Sequence, residues 1–230
     1  MGEAIHRSMP EGPSRRRAAP PERTIIRFAG VERLTHWLIA ADTFVLMVTG
    51  AVLYFPALSS RVSRRLIVEN VHTVAGVVWP VILAIAYLGP WGAPLRGDVR
   101  RLAQIAPKEW QWFRASRRRW VQLGKFNPGQ KLNAIFVLSF ITVLFGTGLM
   151  LRFPSPFAVN QRTGATFVHD WLALALAVLV VGHMLFALAH REELWSMVTG
   201  RIDRRREEKM APLWLDELEA RENAKANSEG

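Results

Sequence analysis

Apolar residues gather in four stretches of this chain, near 33–55, 71–93, 133–152 and 167–190, and polar residues are swept into the segments between them. A helix rises 1.5 Å per residue, so about 20 residues cross the ~30 Å hydrocarbon layer of a bilayer. Lipid offers no partner to backbone N–H and C=O groups, so each stretch must satisfy them internally as a helix. The pattern predicts an all-α fold, an integral membrane four-helix bundle. Residues 1–26 are rich in Pro, Arg, Ala and Glu without hydrophobic periodicity and read as a disordered basic arm. Residues 27–204 hold the four spans, and 205–230 form a charged tail with helix as an option. Gly89-Pro90 breaks the second span late, and Pro80 inside it is a kink candidate because proline removes a backbone donor. No internal repeat stands out enough to use.

Charge fixes the expected orientation. Half the residues are hydrophobic, yet the formal charge is +11 and the isoelectric point near 11.2. A basic chain raises the question of nucleic acid. Of the 30 Lys and Arg, 25 precede or open the first span, lie between spans two and three, or follow span four, and only Arg61, Arg64, Arg65, Arg152 and Arg162 are left for the opposite side. That asymmetry is the positive-inside signature and predicts both termini cytoplasmic. It accounts for the charge through membrane topology, so lipid is expected as a partner and no nucleic acid. The segment APKEWQWFRASRRRW mixes Trp with basic residues, as a helix lying in the interface plane would. Arg15-Arg16-Arg17 is followed by Pro20 and Pro21, not by an apolar run, so no processed signal is expected. There is no cysteine. That excludes C-x-x-C-H haem attachment and thiolate-held iron–sulfur clusters within this chain.

Four of the six histidines lie in the spans: His36, His72, His169 and His183. His169 and His183 are fourteen residues apart, close to four full turns, so their imidazoles leave one helix face roughly 21 Å apart along the axis. With alternating span directions, His36 shares its depth with His183 near the cytoplasmic face, and His72 shares its depth with His169 near the external face. Ionisable groups at membrane depth are costly and mark functional paths. Two level pairs of imidazoles suit two haem b groups, each iron held on both axial positions. Gly50, fourteen residues after His36, and Ala86, fourteen after His72, leave room at the opposite level. A single metal site built from all four is disfavoured by the separation of the pairs. A proton relay would more often include carboxylates, and only Asp42 and Asp170 are near. His6 falls in the arm. His190 closes the fourth helix, where a cation is favourable with the dipole.

The same histidines, with ERLTHW, VHTVAG, FNPGQKLN, VHDWLA and GHMLFALAH, resemble the cytochrome b (gamma) subunit of membrane-bound formate dehydrogenases. The resemblance covers about residues 27–204. It implies two haem b with His36, His72, His169 and His183 as axial ligands, and no catalytic side chain in this chain. It also implies a quinone, menaquinone or ubiquinone, bound near the cytoplasmic haem by Asn127, Gly129 and Gln130 with His183 adjacent. By themselves, Asn127-Pro128-Gly129 read as ordinary turn chemistry, and Lys131 could assist the quinone or simply snorkel. The implied partners are an iron–sulfur subunit and a catalytic molybdenum or tungsten formate dehydrogenase subunit, in the bacterial cytoplasmic membrane, with a higher oligomer of the complex left open. Two other readings stand beside this one. The chain could serve a hydrogenase or related quinone-linked oxidoreductase, or it could be a haem-free membrane anchor or assembly protein.

Overall fold

The computed structural model describes residues 23–114 and 121–229. The chain enters through strand β1 (Thr24–Ile26) and rises through helix α1 (Gly30–Tyr54). One short turn, α2 (Pro56–Ser59), returns it into α3 (Arg65–Leu88). Helix α4 (Ala93–Ala103) and a 3-10 helix (Pro107–Phe113) lead to α5 (Pro128–Arg152), which is followed by α6 (Val159–Ala189). The polypeptide then folds into α7 (Arg191–Thr199), β2 (Arg201–Asp203), α8 (Arg204–Met210) and α9 (Pro212–Glu229).

Helices α1, α3, α5 and α6 are long and apolar enough to cross a membrane. Their outward faces carry exposed Phe44, Ile85, Phe167, Trp171 and Leu185. So much uncovered apolar surface suits a lipid solvent and not water. The all-α membrane bundle expected from the hydrophobic pattern is what the chain forms. The helix ends differ from the apolar boundaries for local reasons. Helix α3 stops at Leu88 because Gly89 is extended and the following Pro90 disfavours helical geometry before it. Helix α5 begins at Pro128, a residue suited to the first helical position, behind an Asn127 cap. Helix α6 starts at Val159 with a polar turn, Asn160-Gln161-Arg162-Thr163, that no hydropathy pattern reveals. Pro80 is accommodated inside a single assigned helix.

The bundle is two helical hairpins, α1 with α3 and α5 with α6. Each first helix ends in the same phrase, T-G-x-x-L-x-F-P, as Thr49–Pro56 and Thr147–Pro154. Each second helix carries a Val-His pair, Val71-His72 and Val168-His169. The repeat that did not stand out in the sequence becomes visible once these phrases are seen to pack together. It is diluted by the unmatched loops between the hairpins.

A small polar unit closes one end of the bundle, here termed basal. Strands β1 and β2 pair antiparallel with Ile25 opposite Ile202. Ile202, Ala211 and Trp214 form its core, with Ile25 and Leu218 against them. Gly200 ends α7 at φ +82°, and a Cβ there would meet the Phe28 carbonyl at 2.7 Å. Its own carbonyl accepts from the Arg27 N–H at 2.8 Å, which ties the chain entrance to the tail. Thus Thr24–Ile26, expected within the disordered arm, are a strand anchored by residues beyond 200. His6 and the rest of the arm lie outside the described residues, as do 115–120 of the Trp-rich segment. Within the described part of that segment, Pro107–Phe113 is a 3-10 helix with Glu109 buried.

Candidate functional site

The four membrane histidines meet in two pairs at opposite ends of the bundle. At the basal end, His36 of α1 and His183 of α6 have ring centroids 6.2 Å apart with planes inclined at 64°. At the far, apical end, His72 of α3 and His169 of α6 stand 6.3 Å apart at 66°. A metal–imidazole bond of roughly 2.0 Å, with roughly 1.2 Å more to each ring centre, puts two rings on opposite sides of one metal about 6.4 Å apart. Both pairs have that spacing. Among the described residues, no group of three or more His, Cys, Asp or Glu side chains is placed to hold a bare ion. Each pair would suit a haem iron, which needs only two further ligands from the protein.

The apical pair sits in a matched cradle. Thr49 Oγ1 lies 2.8 Å from His72 Nδ1, and Thr147 Oγ1 lies 3.0 Å from His169 Nδ1. A Cβ on Gly50 would touch His72 Cε1 at 3.4 Å, and one on Gly148 would touch His169 Cε1 at the same distance. Gly50 therefore does stand at the level of the other pair, and its hydrogen side chain lets an imidazole edge approach α1. Ala86 is buried. The sequence reading missed Thr49, Thr147 and Gly148, and the signal that could have found them is the repeated T-G phrase.

The basal pair is braced differently. The Trp37 ring stands edge-on to His36 at 5.4 Å, and its Nε1 donates to the Met197 carbonyl at 3.4 Å. Arg33 donates to the Thr199 carbonyl at 3.1 Å. Both bonds bind α1 to α7 of the polar unit. Buried charges hold that unit together. Arg27 pairs with Glu207 and reaches the Lys125 carbonyl at 2.9 Å. Lys125 pairs with Asp98 and lies 3.7 Å from Glu32, over the rings of Phe28, Phe126 and Trp214. Burial pushes the Lys125 ammonium down from its ordinary range, and Asp98 opposes that loss of charge. Burial likewise pushes the Glu207 carboxyl up against the pull of Arg27.

Asn127, Gly129 and Gln130 form the start of α5. The Gln130 N–H donates to Asn127 Oδ1, and the Asn127 N–H donates to Gln130 Oε1, both at 2.9 Å. This reciprocal capping satisfies two backbone donors at the helix terminus. Asn127 and Gln130 also line a cavity of about 30 Å³ with Arg27, Lys125, Glu193 and Glu207. That volume is one water molecule's share of liquid, far too small for a quinone ring. His183 is not among the residues lining it. Lys131 neither snorkels nor points to a ligand; it is bound to Glu109 at 2.7 Å and to the Gln104 carbonyl at 2.8 Å. His190 caps α6, with Nδ1 2.9 Å from the Phe186 carbonyl and its ring stacked on Phe186.

Comparison with known proteins decides what such an arrangement belongs to. The family model for prokaryotic cytochrome b561 matches residues 27–200. This chain belongs to that family. It is a membrane cytochrome b, an electron-transfer subunit whose cofactor is haem b. Among its curated relatives is the cytochrome b556(Fdn) subunit of the nitrate-inducible formate dehydrogenase of Escherichia coli (strain K12), 23% identical over 90% of this chain and 97% of the relative. The cytochrome b556(fdo) subunit of formate dehydrogenase from the same strain is 24% identical over 88% and 97%. The cytochrome b556 subunit from Haemophilus influenzae is 25% identical over 84% and 83%. The resemblance carried by the histidines and their neighbours is borne out. In this cytochrome b, the paired rings stand at a spacing that would suit bis-imidazole ligation of haem b, and a glycine stands beside each apical histidine.

Proposed function

We propose that this cytochrome b is the membrane subunit of a respiratory formate dehydrogenase, passing electrons from an external iron–sulfur subunit through two haem b to a quinone reduced near the cytoplasmic face. One observation carries the reading. Two imidazole pairs at haem-ligating distance share helix α6, with His169 and His183 roughly four turns apart. When bound, haem b supplies reversible one-electron chemistry, and its axial ligands and burial tune the potential.

The chain's own residues provide position. His72 and His169 hold the apical group, and His36 and His183 the basal one. The charge asymmetry supports a cytoplasmic basal end, since the polar unit and the basic loop lie there. The quinone is assigned to the α5 terminus, where Asn127, Gly129 and Gln130 shape the backbone, with His183 as the haem ligand that would be adjacent to it. The capping box supports a rigid terminus in that role. Electrons moving inward, with two protons taken up from the cytoplasm for each quinone, charge the membrane; each elementary charge moved against 100 mV takes about 2.3 kcal/mol. Formate is oxidised in a molybdenum or tungsten partner subunit, not here. The curated relatives, all formate dehydrogenase cytochrome subunits by name, support that partner.

Purification in gentle detergent tests both halves of the proposal. Reduced-minus-oxidised spectra with haem quantification are expected to give two b-type haems per chain, and a folded protein without b-type bands would overturn the reading. The co-purifying subunits are expected to include a molybdenum or tungsten formate dehydrogenase. A nickel–iron hydrogenase in their place would overturn the choice of partner.

A further inference from the structure

The apical histidines differ from the basal ones in having a hydroxyl behind each ring. Thr49 Oγ1 donates its single hydrogen to the Val45 carbonyl at 2.7 Å, with the Leu46 carbonyl at 3.2 Å. Thr147 repeats this with the Val143 carbonyl at 2.8 Å and the Leu144 carbonyl at 3.2 Å. With that hydrogen spent on the backbone, each hydroxyl can only accept from the imidazole. Each Nδ1 therefore faces an acceptor, so it carries the proton and leaves Nε2 bare. Gly50 and Gly148 flank the rings: a Cβ on either would lie 3.4 Å from the Cε1 and 3.9 Å from the Nδ1 of its histidine. No comparable side-chain acceptor is found behind His36 or His183 among the described residues.

We propose that Thr49 and Thr147 are matched positioning residues: each accepts the Nδ1–H of an axial histidine, His72 and His169, fixes Nε2 toward the iron, and lowers the potential of the apical haem. The inference rests on the ligand assignment above. A hydrogen bond from Nδ1–H shifts electron density to Nε2 and makes the ring a stronger donor. A stronger donor favours the oxidised iron, so the potential falls. Two such bonds act on the apical group. A lowered apical potential favours electron movement from the apical end toward the basal end, the direction of the proposed function.

The test is potentiometric titration of the purified cytochrome carrying Thr49→Val and Thr147→Val, singly and together. Valine keeps the branched shape and removes the acceptor. In the double variant both haems are expected to remain, the apical midpoint potential to rise by about 59 mV, a tenfold change for one electron, and the basal potential to stay in place. Each single variant is expected to move the apical potential part of the way, which keeps the proposal testable if the double variant loses haem. Thr49→Ser and Thr147→Ser retain a hydroxyl and are expected to hold the wild-type potential. An unmoved apical potential in valine variants that still bind haem would overturn the proposal, as would serine variants that shift as far as valine. Wild-type haem content separates this failure from that of the ligand assignment: a wild-type chain holding no apical haem defeats the assignment itself.

Discussion

The two histidine pairs have nearly the same ring separation, 6.3 Å at the apical end and 6.2 Å at the basal end, yet they are held by different means. Each apical ring is held inside its own hairpin, by a Thr-Gly step on the neighbouring helix. Among the described residues, the basal rings have no such step. Their helices are clamped from outside the membrane, through Trp37, Arg33 and the ion pairs of the polar unit. Local support fixes the position of a single ring. Clamping from a separate unit fixes the spacing of two helices and leaves ring chemistry to lipid and cofactor. The apical site is thus a duplicated device, and the basal site is assembled from unlike parts, with Ala134 and Ala86 at the repeat-equivalent positions of His36 and His183.

The largest effect should come from the ligands. His72→Ala is expected to remove the apical haem and leave the basal one, halving the haem-to-protein ratio, while His183→Ala does the reverse. Loss of both haems in each variant, with the helices still folded by circular dichroism, would break the view that the two sites are held independently. Next in size is Gly148→Leu. Its Cβ would already touch His169 at 3.4 Å, so the rest of the side chain must displace the ring. Haem analysis should show loss confined to the apical site, and Gly148→Ala, in ordinary contact, should bind both haems.

Glu207→Gln addresses the basal clamp. It removes the nearer of two carboxylates paired with the buried Arg27 and leaves Glu193 at 3.5 Å, so the loss is expected below the about 3–5 kcal/mol of a buried pair broken outright. Limited proteolysis should cut the polar unit faster, and the basal haem spectrum should broaden while the apical one is unchanged. Equal disturbance of both spectra would show that the clamp serves the whole bundle. The smallest effect concerns Lys125. Its ammonium is pushed down from 10.5 by burial, so the folded chain releases this proton at lower pH than the unfolded chain. Across that window the unfolded state binds more protons, and stability of the polar unit rises with pH up to about 10.5. Proteolysis rates in alkaline buffers should show this slope, and Lys125→Met should flatten it.

Much of the site was legible along the chain because two one-dimensional rules apply. Helical periodicity put His169 and His183 on one face, and alternating span direction gave His36 and His72 their depths. The same rules say nothing about Thr49 and Thr147, which look like ordinary polar residues in apolar helices until the neighbouring helix brings a ring within 2.8 and 3.0 Å. The FNPGQKLN element shows the opposite ambiguity. Its sequence allowed a turn or a ligand site, and the fold uses both amide oxygens to cap α5. Arg27 and Lys125 looked like members of a positive-inside count. They are instead buried, held by Glu207 and Asp98 from segments far along the chain.

The sequence by itself determined the four crossings, the two levels of histidine and the absence of any thiol-held cofactor, because membrane length, helical period and residue chemistry are local properties. Only the tertiary structure decided which hydroxyl stands behind which imidazole, which charges are neutralised in the polar unit, and where the repeated Thr-Gly phrase acts. Those depend on how one helix is rotated against another, and that rotation is set by packing between residues distant in the chain.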